Sequence, residues 1–167
     1  MKRSANIVIV FTLMALLILI VFFSGIYFLN HQNKDYPFRC STFSRYDLSR
    51  SAAKNIEFAI SHDLRFEAEN DGYLLLNGQA KVDGHTFIFN RRIVLINGAK
   101  IDNNTYRYKI GKIITSTTDN TPDEFFNLLL AEITLGPSYL QLDVDKVDED
   151  SYLIGGPLSY LFICQRY

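Results

Sequence analysis

The sequence is poor in the residues that most enzyme chemistry draws on. It holds three histidines and two cysteines in 167 residues. His31, His62 and His85 are scattered, and none has a second His or a Cys at metal-ligand spacing. They read as surface or turn residues. No serine sits in a G-x-S-x-G elbow, so nothing marks a nucleophilic triad. The acidic run "DVDKVDED" (Asp143–Asp150) fails as a calcium loop. An EF-hand needs Gly at its sixth position and a bidentate Glu at its twelfth, and Asp148 and Ile154 stand there. A solvated strand face with a hairpin turn accounts for the run. No catalytic residue, metal or cofactor is therefore expected, and the chain reads as a non-enzyme.

Charge of one sign is also missing in bulk. The chain carries 17 basic and 18 acidic residues. Setting aside Lys2 and Arg3 leaves 15 (17 − 2) basic residues against the same 18. A nucleic-acid surface needs clustered Lys and Arg, so no nucleic-acid partner is expected. Internal repeats and low-complexity tracts are absent as well.

One stretch lacks charge altogether: "IVIVFTLMALLILIVFFSGIYFL", Ile7 to Leu29. At about 1.5 Å per residue it reaches roughly 34 Å, enough to cross a hydrocarbon core of about 30 Å. Signal-peptide h-regions are shorter, about 7–15 residues, and end at a small-x-small site; "GIYFLN" offers no convincing one. The expectation is a retained single-pass anchor with Tyr27 at the interface, cleavage being the competing reading. No G-x-x-x-G supports helix-driven dimerisation. The division that follows is a short cytoplasmic tail over residues 1–6, a transmembrane anchor over 7–29, a linker over 30–36 and a β-rich domain over 37–167. Basic residues flank both ends of the apolar run, so the positive-inside count does not orient it.

The two cysteines do more. Cys40 and Cys164 lie at opposite extremes of the expected domain, in "PFRCSTF" and "YLFICQRY". A disulfide tying first strand to last fits them, and such a bond persists only in an oxidising compartment. That favours a cytoplasmic N-terminus and a domain outside the cytoplasmic membrane. The alternative is two buried free thiols.

Within the domain, turn signals punctuate β-like runs. "NDG" (Asn70–Gly72), "DG" (Asp83–Gly84) and "NG" (Asn97–Gly98) supply the positive φ that tight hairpins need. "LRFEAE" alternates, with Leu64, Phe66 and Ala68 on one face; "TYRYKI" sets Tyr106, Tyr108 and Ile110 inward; "YLQLDVD" does the same with Leu140, Leu142 and Val144. "LSYLFICQRY" reads as a closing strand buried on both sides. One helix interrupts the strands. "TPDEFFNLLLAEITLG" begins with Thr121 as N-cap, Pro122 at the first helical position and Glu124 completing a capping box, and Gly136-Pro137 stops it. Phe125, Leu128, Leu129 and Ile133 form its apolar stripe. The fold class expected is α+β: mainly an antiparallel β meander of six to eight strands with one amphipathic helix, preceded by a single N-terminal transmembrane helix.

Candidate contact residues are few. Arg91 and Arg92 in "NRRIV" are neighbours on a strand, so they face opposite sides of the sheet; the inward one would meet a carboxylate or a partner. "DNTPD" (Asp119–Asp123) offers Asp119, Asn120 and Asp123 as a recognition loop, although cap and turn chemistry also explains them. The sequon Asn103-Asn104-Thr105 matters only in a host that glycosylates secreted chains.

Taken in order, the anchor, "FRC", "NRRIVLI", "TTDNTPD" before a helix and the closing "GGPLSYLFIC" resemble the FidL-like family of small enterobacterial inner-membrane proteins. By that pattern Cys40 and Cys164 match flanking cysteines, Arg91 or Arg92 a basic residue in mid-strand, and Asp119, Asn120 and Asp123 an acidic-polar turn. Gly156 and Pro157 match the bend before the last strand. The resemblance implies a membrane protein with a periplasmic domain, an association with membrane-bound transcriptional activators, and no catalytic residues. The function expected is thus non-enzymatic: a periplasmic domain on a bacterial inner-membrane protein, binding or modulating another envelope protein. With ten tyrosines and 13 phenylalanines, the alternative is a periplasmic sensor or carrier of a small apolar ligand.

Overall fold

The computed structural model describes residues 2–31, 36–49, 54–134, 136–157 and 159–167. It divides into two units, Met1–Tyr36 and Pro37–Tyr167. In the first, a single helix, α1, runs Lys2–His31. Its side chains are described over residues 13–27, and the large apolar ones among them, such as Leu17, Phe22 and Phe23, are exposed. Ser24 donates its hydroxyl to the Val21 carbonyl at 3.0 Å, which satisfies that polar group within the helix.

The expected transmembrane anchor over residues 7–29 is corrected here. A span needs about 20 consecutive apolar residues, and among the described residues no helix is long and apolar enough to cross a membrane. The cytoplasmic tail assigned to residues 1–6, and residues 32–35 of the linker, fall wholly or partly outside the described side chains or backbone.

The second unit holds eight strands in sequence order: β1 (Phe38–Asp47), β2 (Ile56–Ala68), β3 (Asp71–Val82), β4 (His85–Lys100), β5 (Thr105–Thr115), β6 (Tyr139–Lys146), β7 (Ser151–Gly155) and β8 (Tyr160–Arg166). Each pairs antiparallel with its successor, and β8 returns to β1, so the sheet is a closed barrel. The expected α+β meander is corrected to this closed architecture. Alternation along a strand reveals which face is buried, but not whether the two outermost strands meet, and closure is what removes the free edges of an open sheet.

The barrel wall follows the pleat. On β2, Ile56, Phe58, Ile60, His62, Leu64 and Phe66 are buried while the residues between them are partly exposed. Facing rows add Leu74, Leu76 and Ala80 from β3, Phe89, Ile93 and Leu95 from β4, Leu140 and Leu142 from β6, and Ile154 from β7. Period-2 alternation puts these side chains on the interior face and leaves the polar set outside. Four inward positions expected on the sequence pattern are less buried than Leu64, Phe66, Tyr108, Leu140 and Leu142: Tyr106, Ile110 and Val144 are intermediate, and Ala68, past a register shift, is exposed.

Turn chemistry divides in two. Asp83 (φ 47°) and Gly84 (φ 88°) form the tight β3–β4 hairpin, as two positive φ values in sequence require. Asn97 (φ 53°) also adopts the left-handed conformation, yet it lies inside β4, where the pairing with β5 shifts between Ile96 and Ala99. "NG" is therefore a bulge and not a hairpin. A Cβ on Gly98 would collide with the Tyr108 ring and lie 2.5 Å from the Glu69 carbonyl oxygen, so only glycine fits.

Between β5 and β6 lies α2 (Asp123–Ile133). Pro122 occupies its N-cap, without a side-chain cap bond, so the expected capping role of Thr121 is not taken up. The buried face is Phe125, Phe126, Leu129, Leu130 and Ile133. Phe125 and Phe126 set their rings against Phe87 and Phe89 of β4 at 6.3 and 5.9 Å, which places the helix over the interior row of that strand.

The seam is short. β1 and β8 pair only at Cys40↔Arg166 and Ser41↔Gln165. A disulfide joins Cys40 to Cys164 here, with Cα atoms 5.5 Å apart, and the Tyr167 amide donates to the Arg39 carbonyl at 3.2 Å. The closing strand is not buried on both sides: Ile163 is 59% exposed because a barrel strand has one outward face, and Tyr160, beyond the register shift that skips Leu161, is 67% exposed.

Candidate functional site

Arg91 follows from the pleat of β4. Phe89, Arg91, Ile93 and Leu95 share the inward row, and Arg91 is 3% exposed. Its neighbour Arg92 points out and lies 5.0 Å from the Tyr73 ring. A guanidinium so buried must spend every donor. Nη1 donates to Asp123 at 2.6 Å, Nη2 to the Thr121 carbonyl at 2.6 Å, and Nε to Asp119 at 3.2 Å. The cation also lies 4.5 Å from the Phe126 ring centre, so α2 is held by charge and by face contact together.

The loop that brings these acceptors is fastened to β4 as though it were another strand. Asp119 accepts from the Asn90 amide at 2.8 Å, Asn120 accepts from the Ile88 amide at 2.6 Å, and the Thr121 hydroxyl donates to the Ile88 carbonyl at 2.9 Å. The Asn120 amide returns a bond to the same carbonyl at 3.1 Å. Arg91, Asp119, Asn120 and Asp123 thus form one constellation, from which Arg92 is absent. Its chemistry is that of a lock: the Asp119 side chain is 1% exposed, so it is closed to solvent and to any ligand. Asp123, with a side chain 82% exposed, is the member that still faces water.

Sequence reasoning missed a second interior group. His62 lies on the buried row of β2, opposite Thr42 on β1 and Leu76 on β3, and is 1% exposed. The expectation of a surface or turn histidine is corrected. Tyr46 and His62 Nε2 share a hydrogen bond of 3.0 Å, and the Phe162 ring lies 4.7 Å from the imidazole. Nδ1 has no partner. Burial pushes the His62 pKa down to about 4 and the Tyr46 pKa up to about 12, so both are neutral at pH 7. The signal was present: Leu64 and Phe66 are inward, and the same parity carried back two residues reaches His62.

On the outer wall, Asp63 binds Arg65 through two bonds of 3.0 Å and accepts from the Tyr167 hydroxyl at 2.8 Å. Burial pushes the Asp63 carboxyl up, but the Arg65 and Tyr167 hydrogen bonds and the nearby Arg65 and Arg39 charges outweigh it and leave it below its ordinary value. The residue that follows β8 is pinned to β2 by this triad.

A polar cleft of about 470 Å³ opens where the β4–β5 and β7–β8 turns approach each other, lined by residues including Asn103, Asn104, Thr105, Asp143, Asp145 and Tyr160. Thr105 donates to Asp143 at 2.6 Å and Asn104 to Asp145 at 2.7 Å, so the acidic run and the sequon serve each other across β5 and β6. Among the described residues no group of His, Cys, Asp or Glu could hold a metal ion.

No curated protein matches the chain. The family described as "FidL-like putative membrane protein" matches residues 78–164, just over half of its length, from mid-β3 to the second disulfide cysteine. That stretch contains the whole Arg91 lock and α2. The chain belongs to the FidL-like family.

Proposed function

We propose that this is a non-enzymatic protein of the bacterial inner membrane whose barrel lies in the periplasm and binds or modulates another envelope protein, with a membrane-bound transcription regulator as the class of partner. The observation that carries the reading is the Cys40–Cys164 bond, since a bond of this kind persists in an oxidising compartment. Membership of a family described as membrane proteins supports the location. The Arg91 constellation supports the rest: its charged groups hold a loop and a helix in place, which suits a rigid binding platform.

Two measurements test this. Thiol alkylation of intact cells should label Cys40 and Cys164 only after reduction; labelling without reduction overturns the compartment. Crosslinking in cells followed by purification should recover an envelope protein, and its absence removes the binding role.

A second reading, carriage of a small apolar ligand, draws on the closed barrel, an architecture that encloses an interior. Native mass spectrometry of protein purified without detergent exchange would show an added small-molecule mass if it holds.

A further inference from the structure

We propose that His62 is an acid-released latch on the barrel seam. In its neutral form the ring closes the stretch of β1 and β8 where no ladder runs. Protonation loosens that stretch while the disulfide still joins the two strands. This device goes beyond the envelope-binding reading and does not depend on it.

The latch sits where backbone pairing stops. β1 and β8 pair at Cys40↔Arg166 and Ser41↔Gln165 and, among the described residues, nowhere else. Beyond Ser41, β1 pairs with β2 alone, and β8 ahead of Cys164 pairs with β7 alone. What meets across this stretch is side chain. The Phe162 ring of β8 lies 4.7 Å from the imidazole, and Tyr46 of β1 shares the 3.0 Å bond with Nε2. His62 itself belongs to β2, so one ring gathers three strands. Behind it the interior is dry, with Ile60, Leu64 and Leu76 at 1% exposure or less. In front, Thr42, Ser44, Tyr46 and Phe162 share the inward face yet are only half-buried. The imidazole is thus one side-chain layer from water and within reach of its protons.

Among the described residues, none that faces His62 can neutralise an imidazolium. β1 supplies Thr42, Ser44 and Tyr46, and burial keeps the Tyr46 hydroxyl protonated, its pKa pushed up to about 12. β2 supplies Ile60 and Leu64, and β3 supplies Leu74 and Leu76. β7 turns Tyr152 and Ile154 to this face, opposite Cys164 and Phe162 of β8. Two cations share the inner wall. Arg166 lies 3.5 Å from the Tyr152 hydroxyl, and Arg91 continues the His62 row across Leu76 but already holds Asp119 and Asp123. Protonation puts N–H on both ring nitrogens. Nε2 can donate to the Tyr46 oxygen, but Nδ1 is buried without a partner. An unpaired buried charge is costly, so the charged ring must reach water. The long β2–β3 ladder and the disulfide, with Cα atoms 5.5 Å apart, resist this, whereas the half-buried Phe162 side has no ladder to break. An imidazole that titrates near 4 when closed and near 6.5 when open favours closure fully above pH 6.5 and loses that preference as pH falls through 4. The closed-to-open ratio then changes by up to about 300-fold.

Hydroxyl-radical footprinting of the full, disulfide-bonded chain at pH 7 and pH 4 tests this, with exposed Ile88 as the reference for radical dose. Oxidation of Ile60, Leu64 and Leu76, which surround His62, should rise at least about tenfold at the lower pH. Leu95 of β4 and Leu129 of α2, equally buried but away from the latch, should stay unchanged. His62→Gln, which keeps a polar group near Tyr46 but takes up no proton, should abolish the rise. His85→Gln, at an exposed histidine, should leave it intact. Should His62→Gln fail to form its disulfide, an NMR titration of the wild-type imidazole decides: a midpoint that coincides with the footprinting midpoint supports the latch, and separate midpoints overturn it. An equal rise at Leu95 and Leu129 marks global acid unfolding and overturns the local latch. A rise that persists in folded His62→Gln, or no rise at pH 4, overturns it as well.

Discussion

Strands β2–β5 run for 11 to 16 residues and pair in nearly continuous register, whereas β6–β8 run for only 8, 5 and 7. On the long wall, cross-strand pairing and a regular inward row carry the structure. On the short side the chain adds a fastener of another kind, the disulfide at the seam, whereas the buried arginine and the five apolar residues of α2 fasten the β5–α2 loop and the helix onto β4 of the long wall. Where the ladder is short, fewer backbone bonds and fewer buried side chains are available per strand, and a covalent link makes up the difference.

The comparison breaks most readily at the seam. A Cys40→Ser/Cys164→Ser double variant should lose about 4–5 kcal/mol by urea unfolding, the value the chain-entropy picture gives for a loop above about 100 residues. A loss below about 1 kcal/mol would mean that the ladder alone closes the barrel. Next comes Arg91→Met, which strands the Asp119 carboxylate in the interior and should cost about 3–5 kcal/mol. Arg92→Ala, one residue away and outward, should stay within about 0.5 kcal/mol. Equal effects would show that the lock is not what Arg91 provides.

Acid should then single out the His62 side of the seam. Its folded-state pKa of about 4 lies below the ordinary 6.5, so its neutral form contributes stability that is complete above pH 6.5. That contribution is lost as pH falls toward 4, by about 3 kcal/mol, and His62→Phe should flatten that limb of the pH–stability curve. Smallest is the contrast between core positions. Leu76→Ala on the long wall should cost about 3 kcal/mol and Leu153→Ala on β7, which is only half-buried, about 1 kcal/mol. Similar values at both would remove the distinction between the two sides.

Much of the long wall was legible. The alternation of "LRFEAE" as far as Phe66, the DG hairpin and the α2 stripe at Phe125, Leu129 and Ile133 are local signals that the structure uses, whereas Ala68 is exposed and Leu128 is only half-buried. The Cys40–Cys164 pairing was also readable, because two cysteines at opposite ends of one domain leave a single intramolecular choice. Closure was not readable, since no local pattern records which edges meet. Asn97-Gly98 misled because a left-handed Asn serves a bulge as well as a hairpin turn. His62 is hidden for another reason: histidine is a polar residue, and only its parity with Leu64 and Phe66 marks it as inward. The lock was half visible. Its members stood out as Arg91, Asp119, Asn120 and Asp123, but their mutual contacts join β4 to a loop some 28 residues further on, a distance over which sequence pattern carries no geometry.

The bond at the seam also sets an order of manufacture. Its two sulfurs belong to the first and last strands, 124 residues apart, so it cannot form in its native setting until all the strands between have arrived. A chain caught partway holds Cys40 as a lone thiol on an unfinished sheet, open to the oxidoreductases that exchange with thiols. Oxidation to the native pair therefore reports completion, so finished barrels and abandoned ones differ by sulfur chemistry alone.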